Sequence, residues 1–143
     1  MLVKEIMTTN VKTIRPEDTV KNLAEGMVKN KIGSLVVISG SGEVVGIATE
    51  RDVIEHVIIL EKNPEEVKVQ EVMTTDLITI NPTNTLEEAA DIMVHHEIKK
   101  LPVIDGGRLV GIVTATDLIA YENKLVEKIA HLIMASPMKS IGG

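Results

Sequence analysis

The sequence predicts a mixed α+β (α/β) fold in which two copies of one β-α-β-β-α unit pack sheet to sheet with pseudo-two-fold symmetry. Three observations carry that expectation. The chain repeats itself: Glu5-Ile6-Met7-Thr8-Thr9 returns as Glu71-Val72-Met73-Thr74-Thr75, and Val45-Gly46-Ile47-Ala48-Thr49 returns as Val110-Gly111-Ile112-Val113-Thr114. Within each copy, short β-branched runs alternate with stretches whose apolar residues follow helical spacing. A single unit of roughly 55 residues has a thin core and would be marginal alone, whereas two copies in one chain can pack sheet to sheet and bury the apolar faces of both.

The elements follow in order. Val11 to Ile14 reads as a short strand closed by Pro16. Asp18 is the expected N-cap of a helix from Thr19 to about Lys29, with Val20, Leu23, Ala24, Met27 and Val28 as its apolar face, and Gly33 ends that region. Ser34–Ile38 is a buried strand, Ser39-Gly40-Ser41-Gly42 a hairpin turn, and Glu43–Ala48 its partner. Thr49 then caps a helix from Glu50 to about Leu60. The second copy repeats the pattern, with Asn84 as the expected cap, Asp105-Gly106-Gly107 as the turn, and Thr114 or Thr116 capping a longer last helix. Glu61 to Glu66 is the natural linker. The expected division is repeat 1 over 1–62, repeat 2 over 63–121, and a helical extension with a loose tail over 122–143.

Composition removes whole classes of function. Of 143 residues one is aromatic (Tyr121) and none is cysteine. That excludes an aromatic platform for single-stranded nucleic acid, thiol catalysis and thiolate metal sites. A formal net charge of −6 provides no broad basic footprint, so nucleic acid is an unlikely partner. No apolar run reaches the ~18 residues of a membrane span, and Met1-Leu2-Val3-Lys4-Glu5 lacks the layout of a signal peptide. The expectation is a cytoplasmic protein without membrane insertion. His95 and His96 are adjacent and face different ways on a helix, so no metal site is expected.

The repeated Met-Thr lead-in (Met7-Thr8, Met73-Thr74), the Leu101-Pro102-Val103-Ile104 strand and the closing Gly-apolar-x-Thr-x-x-Asp of Gly46–Asp52 and Gly111–Asp117 resemble the cystathionine-β-synthase (CBS) domain. The tandem pair resembles a stand-alone Bateman module over roughly Leu2 to Tyr121. The resemblance implies a regulatory sensor that binds adenosine-containing ligands (AMP, ADP, ATP or an S-adenosylmethionine-type compound) in clefts between the repeats. It further implies no required cofactor, no catalysis, a homodimer, and a regulated enzyme or transporter as partner.

By that resemblance, one cleft combines Lys12, Thr13, Ile14, Gly33 and Ser34 with Thr114, Thr116 and Asp117. The other combines Ile78, Thr79, Ile80, Lys99, Lys100 and Pro102 with Thr49, Arg51 and Asp52. The chemistry is consistent with these roles. A carboxylate at a strand-to-helix junction accepts hydrogen bonds from both ribose hydroxyls. The free N–H groups of a first helical turn suit phosphate, and a guanidinium grips phosphate in a fork. Ile14, Ile80, Ile47 and Ile112 are candidates to hold adenine. Arg51 stands where the other copy has Thr116, which makes the second cleft the better polyphosphate site.

Two other readings compete. Thr-x-x-Asp at a helix start also describes a plain capping box. A ligand-free dimerisation or interaction module is the alternative function, supported by the apolar stripe Leu118, Ile119, Leu125, Ile129, Leu132 and Ile133 on the last helix. No nucleophile–base–orienter set and no phosphate-cradling Gly-rich loop suggests catalysis.

Overall fold

The computed structural model describes residues 1–135. Helix α1 (Val3–Ile6) precedes strand β1 (Thr13–Ile14), helix α2 (Val20–Asn30), and the hairpin β2 (Ser34–Ile38) and β3 (Val44–Thr49). Helix α3 (Glu50–Val53) runs on into a π-helical turn over Ile54–Ile58. A 3₁₀ turn at Val69–Glu71 leads to helix α4 (Leu86–His96), the hairpin β4 (Lys100–Asp105) and β5 (Arg108–Thr114), and the long helix α5 (Ala115–Ala135). The expected tail from Ala135 to Gly143 lies, from Ser136 on, outside the described residues.

Each copy contributes its own sheet. In the first, β1 runs parallel to β2 with Thr13 opposite Val36, and β2 pairs antiparallel with β3. In the second, β4 pairs antiparallel with β5, and the expected first strand shrinks to one parallel bridge, Ile80 to Val103. The strand expected over Val11–Ile14 is likewise only two residues long. The β4–β5 hairpin closes through Gly106 and Gly107, both at positive φ (59° and 80°), where a two-residue turn matching the strand twist needs glycine.

Strand alternation sets the layers. Leu35 and Val37 on β2 enter the first copy's core, and Leu101 and Val103 on β4 enter the second's. Their neighbours Val36 and Pro102 point to the opposite sheet faces and are buried as well, so the face turned away from each copy's helices is covered where the copies meet.

The lead-ins cross over. Val3 of α1 is fully buried in the second copy's core, whereas Val67, Val69 and Val72 belong to the first copy's. Thr8 exchanges backbone hydrogen bonds with Ile112 on β5, and Thr74 with Ile47 on β3, at 2.8–3.0 Å. Gly111 and Gly46 make room for this. A Cβ at Gly111 would lie 2.5 Å from Met7 Sδ, and one at Gly46 would lie 2.7 Å from Met73 Sδ. Either contact is far inside van der Waals range.

Local caps shift by one residue from expectation. Thr19, not Asp18, caps α2, its hydroxyl accepting from Asn22 N–H at 3.2 Å. Asp18 is engaged elsewhere, accepting from Arg15 N–H at 3.0 Å. In the same way Thr85 caps α4 while the Asn84 side-chain oxygen accepts from Asn81 N–H. Both short polar side chains close the preceding turn, leaving the following threonine to start the helix. α2 ends on Lys31 in the left-handed conformation rather than on Gly33. The linker is tied down: Lys21 pairs with Glu65 at 2.9 Å, and Val20 N–H donates to Val67 O at 2.8 Å.

Candidate functional site

At the end of β3 the sequence forces a tight junction. Thr49 leaves the strand in an extended conformation and its hydroxyl accepts from Asp52 N–H at 3.1 Å, while Asp52 Oδ2 accepts from Thr49 N–H at 2.9 Å. This is a reciprocal capping box, and it buries Asp52. Thr114 and Asp117 reproduce it at 3.0 and 3.1 Å, which resolves the choice of cap for α5 in favour of Thr114. The other oxygen of each carboxylate has no protein partner among the described residues, so capping leaves an acceptor free.

Each junction is anchored to the start of the preceding strand. Gly33 O accepts from Glu50 N–H at 3.0 Å, and Lys99 O accepts from Ala115 N–H at 2.8 Å. The starts of β2 and β4 meet across the seam, where Lys100 Nζ donates to Ser34 Oγ at 3.2 Å.

Between these elements lies a cavity of about 770 Å³, within the range of small-molecule sites. Its wall comes from both copies. The first supplies Gly33, Ser34, Ile47, Thr49 and Arg51; the second supplies Thr74, Asp76, Leu77 and Ile78 and the run Glu97–Lys100. The floor is aliphatic (Ile47, Leu77, Ile78, Ile98), and the rim carries Arg51, Lys99 and Lys100 against Asp76 and Glu97. Arg51 also pairs with Glu55, whose carboxylate holds the guanidinium pKa above its ordinary value. Such a pocket can hold a flat apolar ring against aliphatic side chains and present cations and hydroxyls to a polar, anionic tail.

The structure thus brings together Thr49, Arg51, Ile78, Lys99 and Lys100 from the second expected cleft, and adds Gly33 and Ser34 from the first. Asp52 sits in the adjoining capping box. Thr79 is exposed and outside the cavity wall, and Ile80, Ile14 and Pro102 are buried. Ile80 and Ile14 belong to their own copies' cores and do not line the cavity, so the expectation that they hold adenine is corrected: their side chains are taken up by core packing. Of the remaining residues of the first cleft, Lys12, Thr13 and Thr116 are exposed and Thr114 and Asp117 half-buried. Sequence reasoning did not place Thr74, Asp76, Leu77, Glu97 or Ile98 in the site. Their only signal was position beside expected residues. A second hollow of about 530 Å³ lies between α2 and α3, lined by Met27, Val28, Ile32, Val53 and Ile54. No group of three metal-capable side chains, and no helix long and apolar enough to cross a membrane, occurs among the described residues.

Two sheet-and-helix repeats with exchanged lead-ins and a cavity at the seam define a tandem-repeat module. The CBS domain family description matches residues 3–59 and 69–124, and the chain belongs to that family. It is 37% identical over 128 residues to the uncharacterised protein MK0525 of Methanopyrus kandleri, covering 89% of this chain and 65% of that one, so the chain spans just under two thirds of that relative. It is 36% identical over 116 residues to the CBS domain-containing protein YhcV of Bacillus subtilis, covering 81% of each. Among solved structures it is similar to the CBS domain pair of protein MJ0100 in complex with 5′-methylthioadenosine and S-adenosyl-L-methionine. That match has a TM-score of 0.75, 28% identity, and coverage of 87% of this chain and 97% of the other.

Proposed function

We propose that this chain is a regulatory sensor that takes an adenosine-containing ligand into the seam between its repeats and acts on a separate enzyme or transporter, with no catalysis of its own. The carrying observation is the aliphatic cavity rimmed by Arg51, Lys99 and Lys100 beside the Thr49–Asp52 junction. The ligands bound by the MJ0100 pair support the class. The three cations favour a phosphate-bearing member of it, AMP, ADP or ATP, with the free Asp52 oxygen on the ribose hydroxyls. The first cleft, built on Lys12, Thr13, Thr114, Thr116 and Asp117, is the weaker site. The working protein is a cytoplasmic homodimer.

Differential scanning fluorimetry and calorimetry with AMP, ADP, ATP, S-adenosylmethionine and methylthioadenosine test this. Free ligand at ~100 times its Kd stabilises a one-site binder by about 2.7 kcal/mol. Arg51→Ala lowers affinity for a phosphate-bearing ligand ~10-fold or more, the value of a hydrogen bond to a charged group, and leaves methylthioadenosine unaffected. No stabilisation by any of the five compounds overturns the sensor reading. It would favour a ligand-free interaction module, for which the exposed apolar face of α5 is the supporting observation.

A further inference from the structure

The three cations on the cavity rim are held in different ways. Lys99 is exposed. Arg51 is exposed too, and its guanidinium pairs with the Glu55 carboxylate, which offsets part of its charge. Lys100 is half-buried, and its Nζ donates to a neutral acceptor, Ser34 Oγ, at 3.2 Å. A half-buried charge is screened less by salt and water than an exposed one, and a hydroxyl takes none of that charge away. An ammonium has three donors, so the bond to Ser34 leaves two for a ligand. The rim acids Asp76 and Glu97 are both exposed, where solvent weakens their pull on it.

The backbone alone does not commit this ammonium to the cavity. Lys100 lies opposite Thr114 in the β4–β5 ladder, whereas Ser34 lies opposite Thr49 in the β2–β3 ladder. The main chain of Lys100 therefore stands beside the Thr114–Asp117 junction, and the bond to Ser34 draws its side chain toward the Thr49–Asp52 junction. The two positions are equivalent in the repeat: Ser34 precedes Leu35-Val36-Val37 as Lys100 precedes Leu101-Pro102-Val103. Two lysines here would repel across the seam, and two serines would leave it without this cation. The sequence breaks its own repeat so that one side supplies the charge and the other its seat. Fixing a lysine costs much rotamer freedom, and a partner already in place before the ligand arrives removes part of that cost from binding. We propose that Ser34 is a positioning residue. It holds the Lys100 ammonium in the seam cavity, on the Thr49 side, and so sets the preference of the site for phosphate-bearing over uncharged adenosine ligands.

This inference rests on the sensor reading and names the residue that tunes it to ligand charge. Calorimetry on the full chain with ADP and methylthioadenosine tests it, using wild type, Ser34→Ala, Ser34→Thr, Lys100→Met and the Ser34→Ala/Lys100→Met double variant. The quantity read is the ratio of the two affinities, which a general loss of site structure would not move. Ser34→Ala is expected to lower the preference for ADP about 5-fold, the worth of one hydrogen bond, and Lys100→Met ~10-fold or more. The double variant matches Lys100→Met, because Ser34 acts only through the lysine. Ser34→Thr restores the hydroxyl and the wild-type ratio. An unchanged ratio in Ser34→Ala, a loss in the double variant beyond that of Lys100→Met, or no rescue by threonine overturns the proposal. A wild type that binds methylthioadenosine but not ADP also overturns it and leaves the sensor standing. A wild type that binds neither overturns both.

Discussion

In the first copy Val57 is 2% exposed and part of the core; in the second the matching position is Glu122, in water. The helices that carry them diverge accordingly. After Val53 the first widens into a π turn, Ile59 N–H donating to Ile54 O at 3.0 Å, and stops at Glu61, which has φ of 54°. The extra residue keeps Val57 turned inward, and Lys62 N–H closes on Val57 O at 2.9 Å as the chain folds back toward the linker. The second helix meets no core beyond Leu118 and continues as regular α-helix to Ala135. A helix held to a core adjusts its register to that core, whereas one released from it runs on by its own hydrogen bonding.

The largest expected effect breaks this contrast directly. Val57→Glu places a carboxylate among aliphatic side chains and is expected to cost about 3–5 kcal/mol, the usual penalty for an uncompensated buried charge. The reciprocal Glu122→Val stays within about 0.5 kcal/mol of wild type, as surface changes do. Urea denaturation of both variants measures the difference.

A smaller pair tests whether the two crossovers are equivalent. Gly46→Ala and Gly111→Ala each drive a methyl into a methionine and against a backbone carbonyl, Thr74 O at 2.9 Å and Thr8 O at 3.0 Å. Each is expected to cost about 1–3 kcal/mol by overpacking. Only Gly46→Ala should also weaken ligand binding, because the Thr74 backbone it pushes against leads into the cavity wall at Thr74, Asp76, Leu77 and Ile78. Calorimetry on both variants separates stability from site geometry.

The smallest effect is a pH dependence confined to one copy. Glu88 accepts from the Thr85 N–H and hydroxyl, both at 3.0 Å, and from Asn84, and these bonds hold its carboxyl below the ordinary 4.5. Its contribution is therefore present above the ordinary carboxylate pKa and is lost as pH falls through the lowered folded value. The matching residue on α2 is Asn22, which cannot titrate. Thermal melts from pH 7 to 3 should show a small acid-side loss that Glu88→Gln flattens. An Asn22→Ala control should leave the pH profile unchanged.

Much of this organisation was legible because it is local. The repeat, the two hairpins, and the pairing of Thr49 with Asp52 and Thr114 with Asp117 are written within a few residues of one another. The joint appearance of Arg51, Lys99 and Lys100 was expected from the repeat and the resemblance together. The presence of Gly33 and Ser34 in that same cavity was not, because it depends on the starts of β2 and β4 meeting across the pseudo-two-fold axis, as the Lys100–Ser34 bond records. Nor does any local pattern tell Thr74 to pair with Ile47 rather than with its own repeat. The π turn was hidden for a similar reason: the spacing of Val53 and Val57 is ordinary helical spacing, and the register change answers the core beneath it.

The exchanged lead-ins also bear on how the chain is made. Val3 is synthesised before the second copy, yet the core it enters is completed by Leu101, Val103 and Val113 of that copy. The first copy, in turn, lacks Val67, Val69 and Val72 until the linker has been synthesised. Neither half is a self-sufficient unit that duplication simply set beside its twin. Each is missing a piece that its neighbour carries, so a break in the linker leaves two incomplete fragments with reason to find each other, and the pair must survive, and evolve, as one interlocked object.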